Sequence, residues 1–193
     1  MRILKKVSNV RKHLHVEKLK GKSIGFIPTM GALHKGHISL LEKSKLENDI
    51  SVVSIFVNPT QFNQKEDLDK YPRDLEKDAD FLAANDCDYI FAPRVKEVYP
   101  ENVDTTPALD ISHLIQNMEG PNRPGHFEGV VQVVNRLLDI IQPDNLYMGQ
   151  KDFQQFSIIR YMIDSFKLST RLRVCPIIRE ESGLAMNKSV VSL

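Results

Sequence analysis

The feature that most constrains this chain is a repeated alternation. Short, nearly continuous apolar runs are each followed by a polar loop and then by a segment with helical spacing. The clearest run is Ile50–Val57 (ISVVSIFV), β-branched or apolar at almost every position. A strand wetted on one face would alternate apolar with polar residues, so a run like this belongs in a strand covered on both faces. Ser23–Pro28, Asp88–Ala92, Asn145–Met148 and Leu172–Ile178 are the other candidate strands. Helices are predicted between them at about 37–48, 74–85, 128–141 and 151–166. In Glu128–Ile141, residues Val130, Val133, Val134, Leu137, Leu138 and Ile141 keep the i, i+3, i+4, i+7 spacing of one buried helix face. Strands alternating with helices make βαβ units with right-handed crossovers. The expected fold class is α/β, a Rossmann-like, doubly wound parallel sheet with flanking helices. Residues 93–124 hold five prolines and are expected to carry only short strands around 108–111 and a short helix near 113–118.

Composition narrows the partners. With 193 residues the chain can bury a core of ordinary size. Lys and Arg number 26 against 25 Asp and Glu, a net charge of +1. No bulk basic field exists, so neither nucleic acid nor an anionic membrane is an expected partner. Any bound anion must be met locally. Cys87 and Cys175 form neither a CxxC pair nor a zinc spacing and read as free thiols of a reducing compartment. No apolar stretch approaches the ~20 residues of a membrane span, and the basic N-terminus has no signal-peptide core. The expected location is cytoplasmic.

In parallel sheets of this kind ligands bind outside the carboxyl ends of the strands. The loops at 28–37, 58–64 and 149–155 each follow a candidate strand and should face one crevice. The first reads PTMGALHKGH, with His34 and His37 at a strand-to-helix junction. Free backbone N–H groups and the helix dipole favour an anion there. The same dipole disfavours an imidazolium, but a neutral ring can still donate one N–H to a phosphate oxygen. Gly31 and Gly36 allow close backbone approach. The loop therefore fits a polyphosphate. No GxGxxG follows the first strand, which disfavours a dinucleotide-binding protein.

The HKGH string resembles the signature of the HxGH nucleotidylyltransferase superfamily. The fuller PTMGALHKGH, together with FVNPTQF (56–62), YPR (71–73), EGPNRPGHF (119–127), GQKDFQQ (149–155) and RE with GLAM (179–186), is similar, in the same order, to the pantoate–β-alanine ligase family. The resemblance implies a two-step reaction: pantoate and ATP give pantoyl adenylate and pyrophosphate, then β-alanine gives pantothenate and AMP. It implies Mg²⁺ on the phosphates and a homodimer. Residue by residue, it assigns catalytic roles to His34, His37 and Lys151, the last as a mobile ammonium near the phosphates. ATP would lie along Thr29, Gly36, Gly149, Lys151 and Asp152, with the adenine against Met186 and the backbone of Ile178. Asp152 would hold the ribose, and it also stands where a helix N-cap would. Gln61 and Gln155 would grip the hydroxyl and carboxylate of pantoate, with Met30 on its methyl groups. Asn58 and Glu119 are further positions near pantoate. Arg123 and His126 are either a rim of that pocket or a turn in which His126 caps the next helix. Asp78 is either an acidic group assisting the metal or a solvated helix-face carboxylate.

The sequence departs from the family after Gly183-Leu-Ala-Met186, where a Ser-Ser-Arg-Asn element is expected and Asn187-Lys-Ser stands instead. Lys188 offers a charge in its place, without the bidentate fork of a guanidinium. The resemblance thus divides the chain into a nucleotide- and pantoate-binding domain at 1–178 and the start, at 179–193, of a hinge to a C-terminal lid domain that is absent. Reduced turnover is the corresponding expectation. Two other readings remain at this point: a non-catalytic ATP- or pantoate-binding fragment, and another HxGH adenylyltransferase that keeps AMP in its product.

Overall fold

The computed structural model describes residues 1–187. Six strands, β1 (Arg2–Leu4), β2 (Ile24–Thr29), β3 (Ile50–Ile55), β4 (Tyr89–Phe91), β5 (Asn145–Gly149) and β6 (Arg171–Cys175), form one sheet in the order β1-β4-β3-β2-β5-β6. All pairings are parallel, as the apolar runs require. The helices are α1 (Val7–Leu19), α2 (Lys35–Glu47), α3 (Lys65–Lys70), α4 (Leu75–Ala83), α5 (Val95–Val98), α6 (His126–Ile141) and α7 (Phe153–Ser165).

Adjacent strand residues point to opposite faces, so each central strand feeds two cores. Phe26, Val52, Phe91 and Leu146 join α1, α6 and α7 on one face. Ile27, Val53, Ile90 and Tyr147 join Ile38 and Leu41 of α2 and Leu82 of α4 on the other. Helix α6 starts at Gly125 (φ 78°) and stops at Gln142 (φ 49°), both in the left-handed region. All six residues of its predicted face are buried, at about 1.5–3 kcal/mol each for full burial of such side chains.

Two expectations are corrected, and two elements are added. Residues 108–111 form no strand, and 113–118 reduce to a single 3₁₀ turn at Ser112–Leu114. The sheet gains β1, a three-residue edge strand, and the chain gains α1, neither of which the apolar pattern announces.

The sheet splits at its centre. Strands β2 and β3 pair along their whole length, from Ile24–Ile50 to Thr29–Ile55. Strands β2 and β5 pair at Gly25–Asn145 and Phe26–Leu146, and then their ladder ends. The chain proceeds from β2 to β3 on one side and returns through β5 on the other, so this is the topological switch point. Pro28, which has no N–H, lies in β2 just past the end of the β5 ladder.

Candidate functional site

A cavity of about 320 Å³ opens where β2 and β5 part. Its floor is the apolar face of α6, with Val130, Val133, Val134 and Leu137. Its walls bring together the three loops expected to share a crevice.

On one side stands the histidine loop. The His34 ring occupies the N-cap position of α2 and accepts the Gly36 N–H at Nδ1 (3.1 Å). His37 reciprocates, accepting the His34 N–H at its own Nδ1 (3.2 Å). The pair is a capping box built from two imidazoles. Each Nδ1 must be unprotonated to accept, so each ring carries its proton on Nε2. The rings lie 4.1 Å apart and both line the cavity. Burial pushes the His37 pKa down to about 3, with His34 and Lys151 adding to the shift. Burial, followed by the Lys151 charge, also lowers His34. Two neutral N–H donors result. Gly36 leaves room for this contact, since a Cβ there would sit 2.8 Å from the His34 ring.

The preceding turn places Gly31 (φ 85°) and Ala32 (φ 52°) in the left-handed region, which costs strain at Ala32. Asp78 holds it. Its two oxygens accept the N–H groups of Ala32 (3.0 Å) and Leu33 (2.8 Å). Asp78 is 5% exposed and outside the cavity lining, so it is neither a solvated carboxylate nor a group presented to a bound metal. Among the described residues no group of three or more His, Cys, Asp or Glu is arranged to hold a metal. A Mg²⁺ here would therefore be held chiefly by the phosphates of a bound nucleotide. Thr29 lines the cavity, but its hydroxyl donates to the Ser54 carbonyl (2.6 Å) and accepts the Gly31 N–H (3.2 Å), so it ties β2 to β3.

Across the crevice, Gly149, Lys151 and Asp152 follow β5 and line the cavity with Gln155. Asp152 occupies the N-cap position of α7 without a side-chain cap bond. Desolvation raises its carboxyl pKa, opposed first by Lys151. The Lys151 ammonium reaches the Met186 carbonyl (3.4 Å). The segment after β6 folds back, with an Arg179–Ala185 bridge, and brings Ile178 and Met186 to the rim. The Ile178 carbonyl already accepts the Met186 N–H (3.0 Å), which occupies one of its lone pairs. Lys188 lies outside the described residues.

The third wall is the 3₁₀ turn Pro59–Gln61, packed on α6. Gln61 donates toward Met30 Sδ (3.1 Å), and both line the cavity. Asn58 lines it too but is 1% exposed and bonded internally. Glu119, Arg123 and His126 are outside the cavity lining. Glu119 and Arg123 form an exposed ion pair (2.9 Å). His126 is buried inside the first turn of α6 rather than capping it. Its Nδ1 lies 2.9 Å from the Gln61 carbonyl, an acceptor, and 3.2 Å from Arg123 Nη2, a donor. Burial lowers its pKa, and the Gln61 contact works in the opposite direction.

Two participants escape sequence reasoning. Tyr71 lines the cavity, where burial pushes its phenol up to about 12. Gln154, beside Gln155, is buried and braces the 114–119 loop, accepting the Glu119 N–H (2.9 Å) and donating to Leu114 (2.8 Å) and Asn117 (2.9 Å) carbonyls.

Comparison with known proteins accounts for this arrangement. The Pantoate-beta-alanine ligase family matches residues 2–191. A pantothenate synthetase of Brucella anthropi is 49% identical over all 193 residues, and one of Porphyromonas gingivalis is 48% identical over the same span. The chain spans 66% and 68% of their lengths. A crystal structure of the Francisella tularensis pantoate-beta-alanine ligase, complexed with beta-gamma ATP and β-alanine, superposes with a TM-score of 0.91 at 42% identity, covering 100% of this chain and 73% of that one. The Thermus thermophilus pantothenate synthetase gives 0.92 at 42% identity, covering 100% and 68%. In sequence and in fold, the chain belongs to the pantoate–β-alanine ligase family.

Proposed function

We propose that this chain carries the ATP and pantoate site of an ATP-dependent pantoate–β-alanine ligase. In the first step a pantoate carboxylate oxygen attacks the α-phosphorus of ATP, the bond from that phosphorus to the bridging oxygen breaks, and pyrophosphate leaves. In the second, the β-alanine amine attacks the acyl carbon, AMP leaves with the electrons of the broken bond, and the amine proton passes to solvent. Little proton transfer is needed, so catalysis is alignment of two anions and stabilisation of charge in flight.

The observation that carries the reading is that one cavity gathers two chemically unlike sets of groups. His34 and His37 offer neutral Nε2–H donors at a helix N-terminus, and Lys151 faces them with a movable charge. In the same cavity, Gln61, Gln155 and Met30 offer amide donors and a thioether, suited to a hydroxy acid with methyl groups. Asp152, free of capping, is proposed to hold the ribose, and Met186 and Ile178 to flank the base. When bound, Mg²⁺ supplies further charge neutralisation on the phosphates. The buried free thiols at Cys87 and Cys175 accord with a cytoplasmic setting, and among the described residues no helix is long and apolar enough to cross a membrane. A homodimer is proposed on the family resemblance.

The test is pantoate-dependent exchange of pyrophosphate into ATP, followed by AMP release on adding β-alanine. His37→Ala should lower the exchange roughly a hundredfold, the scale of losing one preorganised donor. Full exchange in that variant would contradict the phosphate role. Product that retains AMP after β-alanine is added would favour an adenylyltransferase instead.

A further inference from the structure

The turn that carries Gln61 is held by hydrogen bonds with a definite direction. Asn58 Nδ2 lies 3.1 Å from the Gly129 carbonyl, which can only accept. Asn58 Oδ1 accepts from the Tyr99 hydroxyl (2.9 Å) and from the Thr60 N–H (3.4 Å). Both contacts fix which end of the Asn58 amide is nitrogen. That nitrogen then faces Gln61 Oε1 at 3.2 Å. The Gln61 oxygen is thereby engaged from behind, and its Nε2 is turned to the cavity beside Met30 Sδ. The backbone is held as well, by His126 at the Gln61 carbonyl and by Gly129, where a Cβ would meet the Thr60 carbonyl at 2.3 Å.

Tyr99 lies 41 residues from Asn58 in sequence and does not line the cavity. Its ring packs on Phe56, with centroids 6.1 Å apart. Burial pushes its phenol up to about 12, so it remains a hydroxyl donor at any working pH.

We infer that Tyr99 is a positioning residue for the acid substrate: by donating to Asn58 it sets a relay of amides that presents Gln61 as a hydrogen-bond donor to a substrate oxygen. The relay is unidirectional, from Tyr99 O–H to Asn58 Oδ1, then from Asn58 Nδ2 to Gln61 Oε1, then from Gln61 Nε2 to the ligand. Reversed, it would turn the Gln61 carbonyl toward a carboxylate, which cannot donate. Without the hydroxyl, Asn58 Oδ1 loses a buried partner and the amides lose part of their orientation.

The inference rests on the reading that Gln61 touches pantoate, and the experiment separates the two. Pantoate and ATP affinities and the melting temperature are measured for the full chain and for Tyr99→Phe, Gln61→Ala and the double variant. Tyr99→Phe should weaken pantoate about two- to tenfold, the range for one hydrogen bond, and leave ATP affinity unchanged. In the Gln61→Ala background it should weaken pantoate no further, because the relay has lost its last member. Unchanged pantoate affinity in Tyr99→Phe, beside a loss in Gln61→Ala, would overturn the inference and keep the reading. Equal weakening of pantoate and ATP together with a lower melting temperature would also overturn it, since that marks a merely structural residue. Unchanged pantoate affinity in Gln61→Ala would overturn the reading itself, and the inference with it.

Discussion

At the scale of single residues, the site depends on groups that are already satisfied before any ligand arrives. His34 and His37 each spend one nitrogen on the backbone and keep the other for the cavity. Protonating either Nδ1 would put an N–H against an N–H, in line with the lowered pKa values. Long-range ¹H–¹⁵N spectra should therefore show the His37 ring as a neutral Nε2–H tautomer at pH 5.5; an imidazolium signal from it would contradict this. A stability consequence follows. Below about pH 6.5 the unfolded chain protonates His37 and the folded chain does not, so stability falls with pH until its folded pKa of about 3 is reached. The urea midpoint should be lower at pH 5 than at pH 7. Asp78→Asn replaces an acceptor oxygen by a donor against two N–H groups, at a cost of about 1–3 kcal/mol. A lowered melting temperature with unaltered Mg²⁺ dependence is the expected outcome, and a changed Mg²⁺ dependence would restore Asp78 to the metal.

At the scale of elements, the glycine in α6 carries a prediction of its own. Gly129→Ala places its methyl 2.3 Å from the Thr60 carbonyl, so either α6 or the 59–61 turn must move. Destabilisation of about 1–3 kcal/mol is expected, seen in chemical denaturation, with weaker pantoate binding. The elements also show what the sequence could reveal. Strands β2 to β5 were legible because their residues are mostly apolar over a short run, the mark of a strand covered by helices, whereas the edge strand β6 alternates arginine with apolar residues. β1 was not, since three residues beginning with an arginine become a strand only by pairing with β4. α1 buries Val10 and Leu14 among charged neighbours, too thin a stripe to stand out. The cavity-lining loops were legible because they follow strands on one edge of a parallel sheet. The support behind Gln61 was not, because Asn58 meets Tyr99 and Gly129 across separations of 41 and 71 residues, which no local pattern encodes. The same distance hid the contact between His126 and the Gln61 carbonyl, which spans 65 residues.

At the scale of the whole molecule, the cavity sits on the seam between two half-sheets, β1-β4-β3-β2 and β5-β6. A nucleotide contacting the loop after β2 and the loop after β5 bridges that seam. Saturating ATP at about a hundred times its dissociation constant should stabilise the fold by roughly 2.7 kcal/mol, raising the melting temperature by about 5–10 °C for a chain of this size. A shift with ATP but none with an equal concentration of sodium chloride would mark the local anion site that a net charge of +1 demands.

The position of Pro28 gives this seam a further meaning. A sheet edge exposes unpaired backbone groups and invites foreign strands, and edges are ordinarily found at the outside. Here the carboxyl halves of β2 and β5 form an edge in the middle of the sheet. The carbonyls of Ser23 and Thr29 accept N–H groups from the β3 side, so the alternate residues of β2, Pro28 among them, face β5. Pro28 therefore removes the one donor that β2 would leave unpaired on this margin. On the opposite bank, Gln150 donates to Cys175 toward β6, which turns the Gly149 amide to the margin. The fold thus keeps an internal margin that offers an incoming strand one donor fewer. In deuterium exchange the Gly149 amide should be less protected than that of Phe26, which lies within the β2–β5 ladder, and ligand should slow Gly149 selectively.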